Sequence, residues 1–342
     1  MIDMRSDTVT QPCAAMKQAM INAPLGDDVL GDDPTILQLE ETIADKLGKE
    51  SAIFVPSGTM ANQIAIWLQS KRGDSIAVQK DSHIFNYEAG GPAVLSSVMM
   101  RCVGGSRGLM DTQELQGIFP PDDPHFAPLT LVCAEDTANK GGGSVHELSH
   151  LDRIAHIAAE NHAKSHLDGA RLFNAQVQSG ISAARRAQNF DTVSICFSKG
   201  LGCPVGSALC LPKELQYPAK KVRKVLGGGM RQAGMLAAAA LFALEHNIDR
   251  LAEDHHHIQL LAKALMEAGY TVRPAQSNMV YFDAKDANLL IAKLKQEGIL
   301  MLTTGPNTIR AVCHKQISAA AITKTIEVLS QLSSEHGLNA EY

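Results

Sequence analysis

Residues 194–207 read SICFSKGLGCPVGS, and one lysine in this run decides how the rest of the chain is read. Thr192 to Phe197 are β-branched, small or aromatic, the make-up of a buried strand. Lys199 follows at once, with Gly200, Gly202, Pro204 and Gly206 as small or bend-forming neighbours. A lysine at a strand end ordinarily runs its stem toward water. Here it enters a crowded loop at the end of a strand, where open α/β sheets hold their ligands.

Outward from this run, strands and helices alternate. Residues 51–56 (SAIFVP), 75–79, 93–103, 129–135 and 207–212 predict strands, and a short strand ends in SHLDGAR. Helices are predicted over 59–69, 148–161, 232–246 and 250–268. This order implies an α/β fold, with a mostly parallel sheet flanked by helices on both faces. Beyond Asp249 the pattern changes: YTVRP, NMVYFDA, a helix over 287–296, ILMLTT and TIRAVCH form a compact α+β set. The chain therefore divides into an N-terminal arm (1–30), a large domain (31–248) and a small C-terminal domain (249–342). Asp33-Pro34 supplies a cap and a first-turn proline for a helix running to about Leu47.

Composition excludes several classes. The 342 residues carry a formal net charge of −5, 45% hydrophobic residues and only 4% aromatics. Without a long basic run, neither a nucleic acid nor an anionic membrane is expected as a partner. MIDMRSDTVT is too polar for a signal peptide, and the apolar run 234–244 is too short to span a bilayer. Seven cysteines, scattered and without a C-x-x-C pair, fit a reducing cytoplasm. The run EDHHHIQ (His255 to His257) predicts a mostly solvated helix surface, because consecutive histidines do not share a helix face; no metal site is expected. The two GDD segments read as turns and caps, and Gly227 to Gly229 as a tight loop beside a subunit interface.

Four features stand at strand ends. PSGTMAN (56–62) runs from a strand into a helix, and the free N–H groups of Gly58 and Thr59 there would suit an anion. HLDGAR places Asp168 at a strand end, where a carboxylate needs a partner; a salt bridge to Arg171 or a helix cap would serve. Lys199 is the third feature. The fourth is DSHIFNYEAGG, with His83 and Glu88 just after a strand. Together they fit pyridoxal phosphate: an amine for its aldehyde, a carboxylate for its pyridine nitrogen, a helix terminus for its phosphate and a planar residue for its ring. Arg171 and Arg310 are candidates for a substrate carboxylate.

The motifs RSDTVTQP, GDDVLGDDPT, SGTMANQ, SHIFNYEAGG, DGARLFNA, SKGLGCPVGS, GGGMRQAG and NMV span the chain in order. On these the sequence resembles the low-specificity L-threonine aldolases, of the fold-type I pyridoxal phosphate class. The resemblance implies that Lys199 is the Schiff-base lysine, Asp168 the pyridinium partner and His83 the stacking residue. Gly58 and Thr59 would take the phosphate with Arg231, Lys224 would approach the cofactor across a subunit interface, and Ser6, Arg171 and Arg310 would hold the substrate carboxylate. His125 and His83 are the implied groups near the substrate hydroxyl. A homotetramer, as a dimer of dimers sharing cofactor sites, is also implied. One departure stands out: the family commonly reads ENTHN where this chain has EDTAN, putting Asp136 and Ala138 where the pocket wall is expected. Cofactor residues alone leave β-elimination, racemisation, transamination and non-catalytic binding open.

Overall fold

The computed structural model describes residues 1–336. Ser51–Val55, Ser75–Gln79, Thr192–Cys196 and Ser207–Leu211 are buried along their whole lengths. Strands without a polar face need helices on both sides of their sheet. They lie in a seven-stranded sheet ordered Ser51–Val55, Ser207–Leu211, Thr192–Cys196, Lys164–Gly169, Leu129–Glu135, Ser75–Gln79 and Met99–Val103. Ser207–Leu211 alone runs antiparallel to both neighbours. The parallel strands therefore end on one side, and the loops leaving them build the site.

The helix Pro34–Leu47 begins and ends as its sequence dictates. Asp33 accepts hydrogen bonds from the Thr35 and Ile36 N–H groups, Pro34 occupies the first turn, and Gly48 closes the helix in a left-handed conformation. Asp27 likewise ties its own turn, accepting from the Val29 N–H.

The C-terminal part carries a second, antiparallel sheet of Leu302–Thr303, Thr308–Val312, Met279–Asp283 and Thr271–Val272. It shares an apolar core with the helices Leu251–Glu267, Ala287–Gln296 and Ala319–His336. The core changes within Leu251–Glu267: Leu251 packs with the large sheet's cluster, while Ile258 and Leu261 pack with the small one. The first residues are part of this body. Ile2–Asp3 pairs in parallel with Ile299–Leu300, Met4 sits in the C-terminal core, and the helix Ala14–Ile21 packs on Gly234–His246.

Two sequence expectations need correction, and two helices were not expected. The strand expected over 93–103 is confined to Met99–Val103, because Gly90, Gly91 and Pro92 start the short helix Gly91–Ser96. The histidine run is not a solvated surface. His255 and His257 are buried and only His256 faces outward, since the helix lies between the large sheet's helices and the C-terminal sheet. The helix Lys213–Val225 was unexpected because Pro218, which usually breaks helices, lies inside it. Ala319–His336 is likewise unpredicted, although Ile322, Thr325, Leu329 and Leu332 recur at helical spacing and are buried.

Candidate active site

Five chain segments meet at the carboxyl edge of the large sheet. Ser57 to Thr59, His83 and Lys199 follow their strands, while Glu135 and Asp168 sit at strand ends in register with each other. Two cavities open there. An inner one of about 180 Å³ is walled by Gly58, Thr59, Glu135, Asp168 and Cys196. An outer one of about 720 Å³ is walled by Ser6, Tyr87, Arg107, Tyr281 and Arg310. His83, Asn139, Arg171 and Lys199 line both, so they form the doorway.

At one end of the inner cavity the helix Gly58–Gln69 begins. Ser57 caps it by accepting the Met60 N–H at 3.2 Å, leaving the N–H groups of the first residues with the positive end of the helix dipole. The Ser207 hydroxyl lies beside Gly58, buried and without a hydrogen-bond partner among the described residues, and the Thr137 hydroxyl in the cavity wall also lacks one.

At the other end is Asp168. It accepts the Asn62 side-chain N–H at 2.8 Å and the Ala170 backbone N–H at 3.1 Å. Arg171 does not pair with it. Burial pushes the Asp168 carboxyl up, but His83, Lys199, His166 and the Asn62 bond together overcome this and hold it below the ordinary value. It is therefore a carboxylate kept ionised in a buried place.

His83 reaches the doorway from a loop that Glu135 clamps. The Glu135 carboxyl accepts the His83 backbone N–H at 2.6 Å and the Asn139 N–H at 2.8 Å. Burial and the neighbouring Asp168 charge push Glu135 up to about 7. The His83 Nδ1 lies 2.9 Å from Glu88 Oε1, so Nδ1 carries the proton and Nε2 is free to accept one. Burial lowers the His83 pKa, but the Glu88 bond and Asp168 outweigh it and leave the group raised.

The outer cavity separates the two substrate-binding candidates. Arg171 is buried and committed: its Nε and Nη2 each donate to the Asp7 carboxylate at 2.7 Å, and Asn278 donates to Asp7 at 3.0 Å. Although burial alone would raise it, the Arg171 charge holds the Asp7 carboxyl far below the usual range. Arg310 has no carboxylate partner among the described residues. Its Nη1 and Nη2 donate to Asn139 Oδ1 at 3.3 Å and to the Arg5 carbonyl at 2.9 Å. The Asn139 loop fits here because a Cβ at Gly141 would stand 1.8 Å from the Arg107 carbonyl oxygen.

Other predicted residues are not brought in by a single chain. His125 is exposed in a surface loop, bonded only to Asp123, and lines neither cavity. Arg231 is exposed and paired with Asp27 at 3.0 Å, while Lys224 lies beside Gly229, outside both cavities. The departure at Asp136 and Ala138 does not form the pocket wall. Asp136 turns inward onto Arg186 at 2.6 Å, and Ala138 packs against Gly108. Sequence reasoning missed Asp7, Asn62, Glu135 and Asn139. Strand-end position carried a signal for Glu135 alone; the others depend on partners far away in sequence.

The donor set fits pyridoxal phosphate. A buried, ionised carboxylate suits a pyridinium nitrogen, the unpartnered Ser207 hydroxyl beside a helix start suits phosphate oxygens, and Lys199 lines the same cavity as Asp168. Comparison with known proteins agrees. The beta-eliminating lyase family matches residues 3–287. The chain is 40% identical to low-specificity L-threonine aldolase 1 of Arabidopsis thaliana over 96% of each chain. It is also 40% identical to low specificity L-threonine aldolase of Escherichia coli K12, over 93% of this chain and 95% of that one.

The chain belongs to the L-threonine aldolase family.

The family's fold is matched by the threonine aldolase structure from Leishmania major, with a TM-score of 0.85, 20% identity, and 97% and 99% of the two chains covered. A protein named alanine racemase from Cochliobolus carbonum is also related, at 34% identity over 96% of this chain and 87% of that one. As a member of this family of lyases the chain is a pyridoxal phosphate enzyme.

Proposed function

We propose that the enzyme cleaves L-threonine, L-allo-threonine and related β-hydroxy-α-amino acids to glycine and an aldehyde. The observation that carries this reading is the doorway, where the Lys199 amine stands between the ionised Asp168 carboxylate and an Arg310 guanidinium free of any carboxylate.

Pyridoxal phosphate supplies an aldehyde for amines and a ring that takes up an electron pair when a bond at Cα breaks. Gly58, Thr59 and Ser207 would hold its phosphate, Asp168 its ring nitrogen and Lys199 its aldehyde. Asp168 acts by staying ionised, which keeps a proton on the facing nitrogen. Arg310 and Ser6 would hold the substrate carboxylate in the outer cavity and so orient the rest of the substrate. Arg171 shapes the doorway while Asp7 neutralises it. His83 Nε2 accepts the β-hydroxyl proton, with Glu88 on Nδ1 stabilising the charge that results. Lys199 returns a proton to Cα.

Lys224, Arg231 and His125 lie outside the single chain's cavities, and we read them as reaching the site from or beside a second copy in a homo-oligomer. Seven free thiols support a cytoplasmic setting. Racemisation is the second reading, favoured by the related alanine racemase. Steady-state turnover of L-threonine, L-allo-threonine, L-phenylserine and L-serine, with L-alanine as the racemisation arm, tests both. Glycine and an aldehyde are expected from the first three. If none of them yields glycine, aldol cleavage is wrong.

A further inference from the structure

We propose that His166 is a positioning residue of the site, holding the Asn62 amide in the one orientation that lets it bind Asp168 and Glu88 together. The inference rests on the reading of Asp168 as the partner of the cofactor's ring nitrogen.

His166 and Asp168 are two residues apart on one strand and so point to the same face. The adjacent strand repeats the spacing, with Thr192 opposite His166 and Ser194 opposite Asp168. His166 is fully buried and lines neither cavity. Its Nε2 lies 3.0 Å from Asn62 Oδ1 and its Nδ1 lies 2.8 Å from Thr192 Oγ1. Asn62 Nδ2 stands 2.8 Å from Glu88 Oε1 and 2.8 Å from Asp168 Oδ2. Gln69 Nε2 closes the chain, 2.8 Å from Thr192 Oγ1.

The proton positions follow from the carboxylates. Asp168 and Glu88 accept, so the Asn62 NH₂ faces them and its oxygen faces His166. That oxygen can only accept, so His166 carries its proton on Nε2. A neutral imidazole then accepts at Nδ1, Thr192 donates to it, and the Thr192 oxygen accepts from Gln69. Burial lowers the His166 pKa to about 4, so the ring is neutral at working pH, as this order requires. Every bond thus donates toward the two carboxylates, and bonds aligned this way strengthen one another.

One amide therefore joins Asp168 to the carboxylate that orients His83. Without His166, the Asn62 oxygen loses its buried donor and the amide is held from one side only, so its grip on the two carboxylates loosens.

Three variants and one spectrum test this. In His166→Leu, pyridoxal phosphate should bind roughly tenfold more weakly in equilibrium dialysis, the loss of one buried hydrogen bond. Its visible absorbance should titrate at a shifted pH, and kcat should fall while KM for threonine changes little. His166→Gln, whose amide can donate to Asn62, should recover most of this. Thr192→Val should move the same readings in the same direction by less. In the wild-type holoenzyme, ¹⁵N NMR should show a neutral His166 ring with its proton on Nε2. A proton on Nδ1, or cofactor affinity and absorbance titration unchanged in both His166→Leu and Thr192→Val, overturns the proposal. If His166→Leu does not fold, Thr192→Val and the NMR result decide. Failure of the underlying reading looks different: Asp168→Ala would leave cofactor affinity and the absorbance titration unchanged.

Discussion

The inner and outer cavities sit side by side and are built in different ways. The inner one is made almost wholly by residues at or just past strand ends: Ser57 to Thr59, His83, Glu135, Asp168 and Lys199. Sheet register alone sets their spacing. The outer one is assembled from pieces far apart in sequence, including Ser6 near the start, Asn139 in mid-chain, and Tyr281 and Arg310 near the end. The inner cavity can thus be read as a row of strand ends, whereas the outer exists only once the C-terminal sheet has closed over the large one. On the proposed function, the cofactor's chemistry would belong to the rigid row and substrate choice to the assembled wall.

Substitutions can break this contrast. The largest effect is expected in the inner cavity: Lys199→Ala should lose the cofactor's visible absorbance and all turnover above background. Retained aldol cleavage would remove the inner cavity from the mechanism.

Next is Asp7→Ala. It strands the buried Arg171 charge, and breaking a buried pair costs about 3–5 kcal/mol, on the order of ten degrees in Tm. A variant with unchanged thermal unfolding would show that Arg171 is not held by Asp7, and would restore it as a free carboxylate binder.

Arg310→Met should act oppositely. Tm should change little, because no carboxylate is left unpaired, while KM for threonine rises roughly 10- to 100-fold with the loss of bonds to a charged group. Comparing Tm and KM for these two arginine sites separates the structural guanidinium from the substrate-binding one. A wild-type KM in Arg310→Met would move the carboxylate site elsewhere.

The smallest effect lies away from both cavities. His255 Nε2 donates to Asn174 Oδ1 at 3.0 Å, and burial lowers its pKa to about 4. A histidine neutral in the fold and free to charge when unfolded contributes stability above its ordinary pKa of about 6.5, lost as pH falls toward 4. Replacing it should therefore flatten the pH dependence. Between pH 7 and 4, the unfolding free energy of His255→Asn should fall less than that of the wild type, by an amount on the order of 3 kcal/mol. Parallel curves for the two proteins would show that His255 does not titrate differently in the fold.

Particular residues show what was legible. Lys199, Asp168 and the Gly58 helix start were readable because each lies where a run of buried residues stops, and such stops mark a sheet's edge. Pro34–Leu47 was readable to its last residue, since Asp33, Pro34 and Gly48 are local signals. The pairing of Asp7 with Arg171, 164 positions apart, was not, because it depends on two segments that meet only in the fold. The inward turn of Asp136 onto Arg186 was hidden for the same reason: a carboxylate beside a catalytic loop looks the same in sequence whichever way it faces. The buried histidines were hidden too, since helical spacing gives which residues share a face but not how many faces are covered.

By itself the sequence determined the alternation of strands and helices, the caps, and the residues placed at each strand end, because these follow from short-range sterics, hydrogen bonding and periodicity. Tertiary structure alone decided which charges are spent on one another and which remain for a ligand. Asp7 and Arg171 neutralise each other, Arg310 stays free, and Asn62 faces two carboxylates. Those outcomes depend on which distant segments share a low-dielectric space, where an unpaired charge is costly and a paired one is silent.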